Sequence, residues 1–189
     1  NWGIKIMLDR IKRTRVPLSY RDRASFDKEW SFHLGDEAQA FREDFDDSAW
    51  RRLNVPHDWS IEGKFDEHAD TGGAGAYLPA GIGWYRKSFE LEQTDVGKRI
   101  FIEFGGVMSN STVYVNGNCV GTRPYGYASF CYELTDYVKP GKNMVAVKVD
   151  NHEQPSSRWY AGAGIYRHVY LIKTAQAYIP FSGIYVTTP

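Results

Sequence analysis

Apolar and polar residues alternate in short runs along most of this chain. "EWSFHL" (29–34) puts Trp30, Phe32 and Leu34 on one side. "WRRLNVP" follows and is ended by Pro56. "GWYRKSFEL" sets Trp84, Arg86 and Ser88 against Tyr85, Lys87 and Phe89. "KRIFIEF" and "STVYVNG" are further alternating runs, rich in β-branched and aromatic residues. Asn116-Gly117 then predicts a tight hairpin, since a type I′ turn needs positive φ at both central positions. "NMVAVKVDN" and "IYRHVYLIK" predict later strands, the first with Val145, Val147 and Val149 on one face. The period of 3.6 is scarce: "DFDDSAW" (44–50) predicts only a turn begun by Asp44 or Asp46. Many short strands with turn signals between them predict an all-β fold, an antiparallel jelly-roll β-sandwich.

Three stretches break the rhythm. Residues 60–82, "SIEGKFDEHADTGGAGAYLPAGI", are too long for a mere connection and predict a functional or disordered loop. "AYIPFSGIYVTTP" predicts a new strand after Pro180, so 176–189 read as the start of a following domain. Residues 1–23 are basic, with Lys5, Arg10, Lys12, Arg13, Arg15, Arg21 and Arg23 against Asp9 and Asp22. No aromatic interleaving supports base stacking there, so 1–22 read as a leader or linker rather than a nucleic-acid arm.

The bulk numbers narrow the choice. The 189 residues fit one ordinary domain, with the start of a second. Net charge is +0 and the pI about 7.1, which gives no global pull toward nucleic acid or anionic membranes. Mean hydropathy is −0.49, and no window approaches the roughly 18 apolar residues of a membrane span. Aromatics make up 15%, with six Trp and thirteen Tyr, more than a core needs. A flat ring suits the apolar face of a pyranose or a partner surface. Cys119 and Cys131 lie in strand-like runs and read as two free buried thiols, with a disulfide as the alternative.

"SSRWYAGAGIYRHVYLI" (156–172) invites comparison with a phosphate-cradling glycine loop. A dinucleotide site needs its glycines to open a helix after a strand. Here Arg167 stands at the third glycine position, and "IYRHVYLI" is strand by alternation. The glycines therefore predict a tight turn and a close backbone approach, which projects "RWY" off the sheet. "VPHDW" (55–59) suggests a His-Asp pair, but no nucleophile accompanies it. His57 and Asp58 read as hydrogen-bonding anchors of a buried turn. His33, His57, His68, His152 and His168 lack ligand spacing. Asp66, Glu67, His68 and Asp70 form only a weak candidate cation cluster.

In order along the chain, "WRRLNVPHDW", "GIGWYRKSF", "FGGV" with "VYVNG", "GYASF", "LTDYVKPGKNMVAVKVDN" and "RWYAGAGIYRHVYL" resemble the amino-terminal sugar-binding domain of family 2 glycoside hydrolases, in its bacterial β-galactosidase-like branch. The resemblance covers about residues 23–173. It implies a jelly roll of the galactose-binding type over 23–175, then an immunoglobulin-like domain and a (β/α)8 barrel. It also implies retaining hydrolysis by two barrel glutamates about 5 to 5.5 Å apart. A barrel takes about 250 residues and does not fit here. Glu43, Glu62, Glu67, Glu90, Glu92, Glu103, Glu133 and Glu153 therefore read as surface or loop carboxylates, and no catalytic residue is expected in this chain.

The resemblance implies loops that close one side of the terminal-sugar subsite. Arg158, Trp159 and Tyr160 stand in one such loop, and Asp70 and Tyr77 in the long one. Arg158 offers a planar fork of donors to vicinal hydroxyls or a carboxylate. It stands where some members carry an acidic, cation-binding residue, so no cofactor and no metal are expected. The expected partners are a β-galactoside and the chain's own downstream domains, with a homo-oligomer as a further expectation. Nucleic acid and membrane are not expected, and the compartment implied is periplasmic or secreted. Two alternatives stay open: an independent carbohydrate-binding module, and a structural brace of a β-glucuronidase- or β-mannosidase-type enzyme.

Overall fold

A computed structural model of the protein describes residues 21–188. The leader proper, residues 1–20, lies outside the described residues. The strands are β1 Arg21–Ser25, β2 Trp30–Leu34, β3 Arg51–Leu53, β4 Ile82–Leu91, β5 Arg99–Phe104, β6 Ser111–Val115, β7 Asn118–Arg123, β8 Phe130–Glu133, β9 Gly141–Asp150 and β10 Val169–Thr174. They form two sheets, ordered β1-β10-β5-β8 and β3-β2-β4-β9-β6-β7. Every pairing between strands is antiparallel. The jelly-roll β-sandwich expected from the alternation is the fold.

Alternation sets which face is core. β4 and β9 pair from Ile82↔Asp150 to Leu91↔Gly141. This register stacks Tyr85 on Val147 and Lys87 on Val145, all on the inner side. Val145, Val147 and Val149 are fully buried, as are Trp30, Phe104, Val113 and Val115. Burying such a side chain contributes about 1.5–3 kcal/mol. Lys87 also lies on the inner face, and it reaches out along its stem. Its ammonium donates to Phe26 O at 3.3 Å and stands 4.3 Å from the Phe26 ring centroid.

The outer face of the larger sheet is covered as well. Ala40, Trp84, Met144 and Ala146 form a second buried cluster, with Phe41, Trp50 and Tyr114 against it. The covering segment, residues 36–50, has almost no regular structure, so its carbonyls need other donors. Arg86 supplies them. Its Nη1 donates to Ala40 O and to Arg42 O (2.9 Å), and its Nη2 to Phe45 O (3.2 Å). Its Nε donates to Asp47 Oδ2 at 3.2 Å. Asp46 opens the expected turn by accepting from Ser48 N–H.

Asn116 (φ 48°) and Gly117 (φ 81°) adopt the positive-φ pair of the expected hairpin turn. Some details differ from expectation. Arg21 and Asp22, at the end of the expected leader, pair with Thr174 and Lys173 inside the smaller sheet. β10 begins at Val169, not Ile165, because residues before it pair with loops: Gly164 bridges Met108, and Ile165 O accepts from His57 N–H. Both cysteines are free, but Cys119 is exposed and Cys131 half-buried. Their positions on β7 and β8 face away from the packed core. The strand expected after Pro180 does not form. Gly183 N–H instead closes a turn onto Pro180 O, and residues 184–188 pair with no described strand.

Candidate functional site

β4, β6, β8 and β10 begin, and β5, β7 and β9 end, at one end of the sandwich. The long loop before β4, the β7–β8 loop and the β9–β10 loop all emerge there. Asp58 ties the long loop to the β9–β10 loop. Its Oδ1 accepts from Ser60 N–H (3.0 Å) and Ala163 N–H (3.1 Å), and its Oδ2 accepts from the Tyr160 hydroxyl (2.5 Å). Burial, and then the Asp58 carboxylate, push the Tyr160 phenol well above its usual range. It is therefore a donor at any ordinary pH.

The turn of Val55 to Trp59 is fixed from beneath. His57 N–H donates to Ile165 O at 2.8 Å. Its Nδ1 is 2.7 Å from the buried Tyr85 hydroxyl, and its Nε2 is 2.8 Å from Arg51 Nη2. A guanidinium only donates, so Nε2 accepts and the imidazole proton sits on Nδ1. Burial lowers the His57 pKa against the pull of Glu62, which keeps the ring neutral. His57 and Asp58 are thus the anchors expected from "VPHDW".

The glycines of "AGAG" answer to packing. Gly164 has φ 84°, and a Cβ there would lie 2.2 Å from the Tyr85 hydroxyl and 2.9 Å from His57 O. Gly162 also has φ 84°, but faces only Asp58 Oδ2 at 3.1 Å. The backbone is drawn down onto Tyr85, and the segment just before it is thrust outward.

Between the long loop and the β9–β10 loop lies a narrow, open-mouthed groove. Ser60, Thr71, Leu78, Gln154, Trp159 and Tyr160 are among its walls. Of the residues expected at a sugar site, Trp159 and Tyr160 line this groove. Arg158 is exposed beside them, and among the described residues its side chain has no hydrogen bond or ion pair. Asp70 and Tyr77 are exposed on the long loop and are not among the groove walls. Tyr77 N–H and C=O are both used within that loop, to Gly72 O and from Asp66 N–H. The long loop is therefore internally bonded. Asp66, Glu67, His68 and Asp70 do not assemble a cation site: among the described residues no group of three or more His, Cys, Asp or Glu has metal-holding geometry. No helix of the described residues is long and apolar enough to cross a membrane.

Sequence reasoning missed three residues of this end, Tyr125, Tyr127 and Tyr166. The Trp159 indole N–H donates to the Tyr127 hydroxyl at 3.0 Å, and Tyr125 packs edge-on to Tyr127 at 5.7 Å. The Tyr166 hydroxyl donates to Gly126 O at 2.9 Å. The signal was the aromatic spacing of "PYGYAS".

Comparison with known proteins settles the family. The glycosyl hydrolases family 2, sugar binding domain, matches residues 24–175. The chain belongs to that family. It is 52% identical over 172 residues to a β-galactosidase of Bacteroides ovatus, covering 90% of this chain and 20% of that protein. It is 33% identical over 171 residues to a β-glucuronidase of Formosa agariphila, covering 82% of this chain and 17% of that protein. The crystal structure of a β-glycosidase from Bacteroides vulgatus superposes with TM-score 0.79 at 48% identity, over 80% of this chain and 20% of that one. The chain thus spans about a fifth of the length of such relatives.

Proposed function

We propose that this family 2 sugar-binding domain serves a retaining β-galactosidase that removes terminal β-D-galactosides. The observation that carries the substrate is the 52% identity to a β-galactosidase over 90% of the chain. In this reading the end of the sandwich bearing Arg158, Trp159 and Tyr160 forms one wall of the substrate pocket. Asp58 and Gly164 hold that wall rigid, and Arg158 presents its donors to sugar hydroxyls. The catalytic glutamate pair belongs to a downstream barrel, with an immunoglobulin-like domain between, so this segment alone does not hydrolyse glycosides. Assembly as a homo-oligomer and a periplasmic or secreted location complete the proposal.

The test is hydrolysis of β-galactosides by the full-length protein, with and without Arg158→Ala. The expected result is activity on the galactoside and a fall in kcat/KM of about tenfold or more for the variant, equivalent to about 1.4 kcal/mol of transition-state binding. An unchanged kcat/KM would make the domain a brace.

One observation favours a second substrate class. Arg158 is an exposed guanidinium with no partner among the described residues, and its fork geometry suits a carboxylate. A β-glucuronide turned over faster than the β-galactoside, with the preference lost in Arg158→Ala, would establish that reading instead.

A further inference from the structure

Tyr125 and Tyr127, unassigned from the sequence, form one exposed surface with Trp159. Trp159 is 62% exposed, Tyr125 60% and Tyr127 39%. Large rings this open are unusual in a folded domain when they are contiguous. These three are contiguous: indole N–H to Tyr127 hydroxyl at 3.0 Å, then Tyr127 edge-on to Tyr125 at 5.7 Å.

The surface is also held in place. Gly126, between the two tyrosines, sits so close to the core that a Cβ would meet Met108 Sδ at 2.5 Å and Val107 O at 3.0 Å. Tyr166 locks the same glycine through its carbonyl. Tyr166 in turn lies against Gly106, where a Cβ would come within 2.8 Å of its ring. On the other side, the Ser157 hydroxyl donates to Trp159 O and accepts from Trp159 N–H. The indole is thus fixed at its backbone and at its ring nitrogen, and little conformational entropy remains to be lost on binding.

We propose that Tyr125, Tyr127 and Trp159 are a stacking platform for a second sugar unit of an oligosaccharide, distinct from the unit that Arg158 addresses. The chemistry of the rim favours a carbohydrate. Each pyranose offers an apolar C–H face for a ring and hydroxyls around its edge. Around Trp159 stand the Tyr127 hydroxyl, Ser156, Ser157 and Gln154, and the exposed Arg158 precedes it in the chain. The platform is continuous with the groove through Trp159, which belongs to both. The parent enzyme is thereby fitted to sugar chains rather than to single glycosides. This proposal rests on the reading of the groove as one wall of a glycoside pocket.

The experiment compares two substrates of the full-length protein: β-galactosyl fluoride, which has one sugar and a small leaving group, and a trisaccharide with the same terminal β-galactose. Tyr125→Ala and Tyr125→Leu, which remove the ring outside the groove, are the variants, with the glucuronyl counterparts run in parallel. The expected result is a fall of about five- to tenfold in kcat/KM on the trisaccharide, with the fluoride unchanged. Equal losses on both substrates, or none on either, would overturn the platform. Tyr125→Leu, which keeps an apolar side chain at this loop position, keeps the test alive if Tyr125→Ala fails to fold. Should neither substrate series be hydrolysed, the glycosidase reading fails by itself. Saturation-transfer NMR of the galacto- and glucurono-configured trisaccharides on the full-length protein then decides the platform. A signal that Tyr125→Ala abolishes supports it, and an unaffected signal or no binding overturns it.

Discussion

The Tyr160 hydroxyl donates to Oδ2 of Asp58 at 2.5 Å and joins two loops 102 residues apart in sequence. The same carboxylate accepts two backbone N–H groups, so one charge fixes the entry of the long loop and the exit of the β9–β10 loop. Hydrogen bonds to an ionised acceptor contribute about 1.5–3 kcal/mol each. Tyr160→Phe therefore costs about 1–2 kcal/mol in urea denaturation. Asp58→Ala, which also orphans Ser60 and Ala163 N–H, costs about 3 kcal/mol or more. The two partners share the interaction, so the double variant should fall short of the sum. Additive losses would show that the pair is not coupled.

Gly164 and Gly162 share the same φ and differ in what surrounds them, which separates strain from crowding. Alanine at either position carries the left-handed penalty of about 1–2 kcal/mol. At Gly164 the new methyl also meets the Tyr85 hydroxyl and the His57 backbone, neither of which can retreat from the core. Overpacking of that kind adds about 1–3 kcal/mol. Gly164→Ala should thus lose about 3 kcal/mol or fail to fold, whereas Gly162→Ala loses about 1–2 kcal/mol. Thermal melts of the two variants test the difference, and equal losses would remove the close-approach explanation.

What the sequence revealed and what it hid follow from the range of the interactions. Alternation in "GWYRKSFEL" and "NMVAVKV" is a local property, and it located β4 and β9 because each face of those strands is decided by its own side chains. Asn116-Gly117 was legible for the same reason. β1 was not, because "RDRAS" is polar on both sides and is a strand only through its ladder with β10. The site divides likewise. "RWY" was visible beside its glycines, but the partner of Trp159 is 32 residues away at Tyr127. Asp70 and Tyr77 were chosen for residue type within a long loop. Only the fold shows that Thr71 and Leu78 of that loop reach the groove.

Arg86 yields a prediction about a buried cation. It is 2% exposed, and burial lowers its pKa against the pull of Asp47. The guanidinium nonetheless satisfies three carbonyls and a carboxylate at once. A lysine has three donors on a flexible stem and cannot span that set. Arg86→Lys should cost about 3 kcal/mol, in the range for breaking a buried pair, and should expose segment 36–50. Proteolysis between Glu37 and Trp50 in the variant, with the wild type resistant, is the expected readout. Resistance equal to wild type would show that Trp84 and Tyr114 hold the segment unaided.

Asp95 predicts how the far end of the sandwich responds to acid. Burial by itself would raise its pKa. Hydrogen bonds from Lys173 (2.5 Å), Lys98 (2.8 Å) and Glu92 N–H (3.1 Å) outweigh that and bring it to about 2, from an ordinary value of 3.8. The folded pKa is depressed, so between these values the unfolded chain binds more protons than the folded one. The stability contributed by Asp95 is then fully present above about pH 4 and is lost as pH falls toward 2. Its size is about 2 kcal/mol. Urea denaturation of wild type and Asp95→Asn should differ by about that amount at pH 6 and converge near pH 2. A gap that persists undiminished at pH 2 would assign the effect of the substitution to lost packing, with no part for the charge.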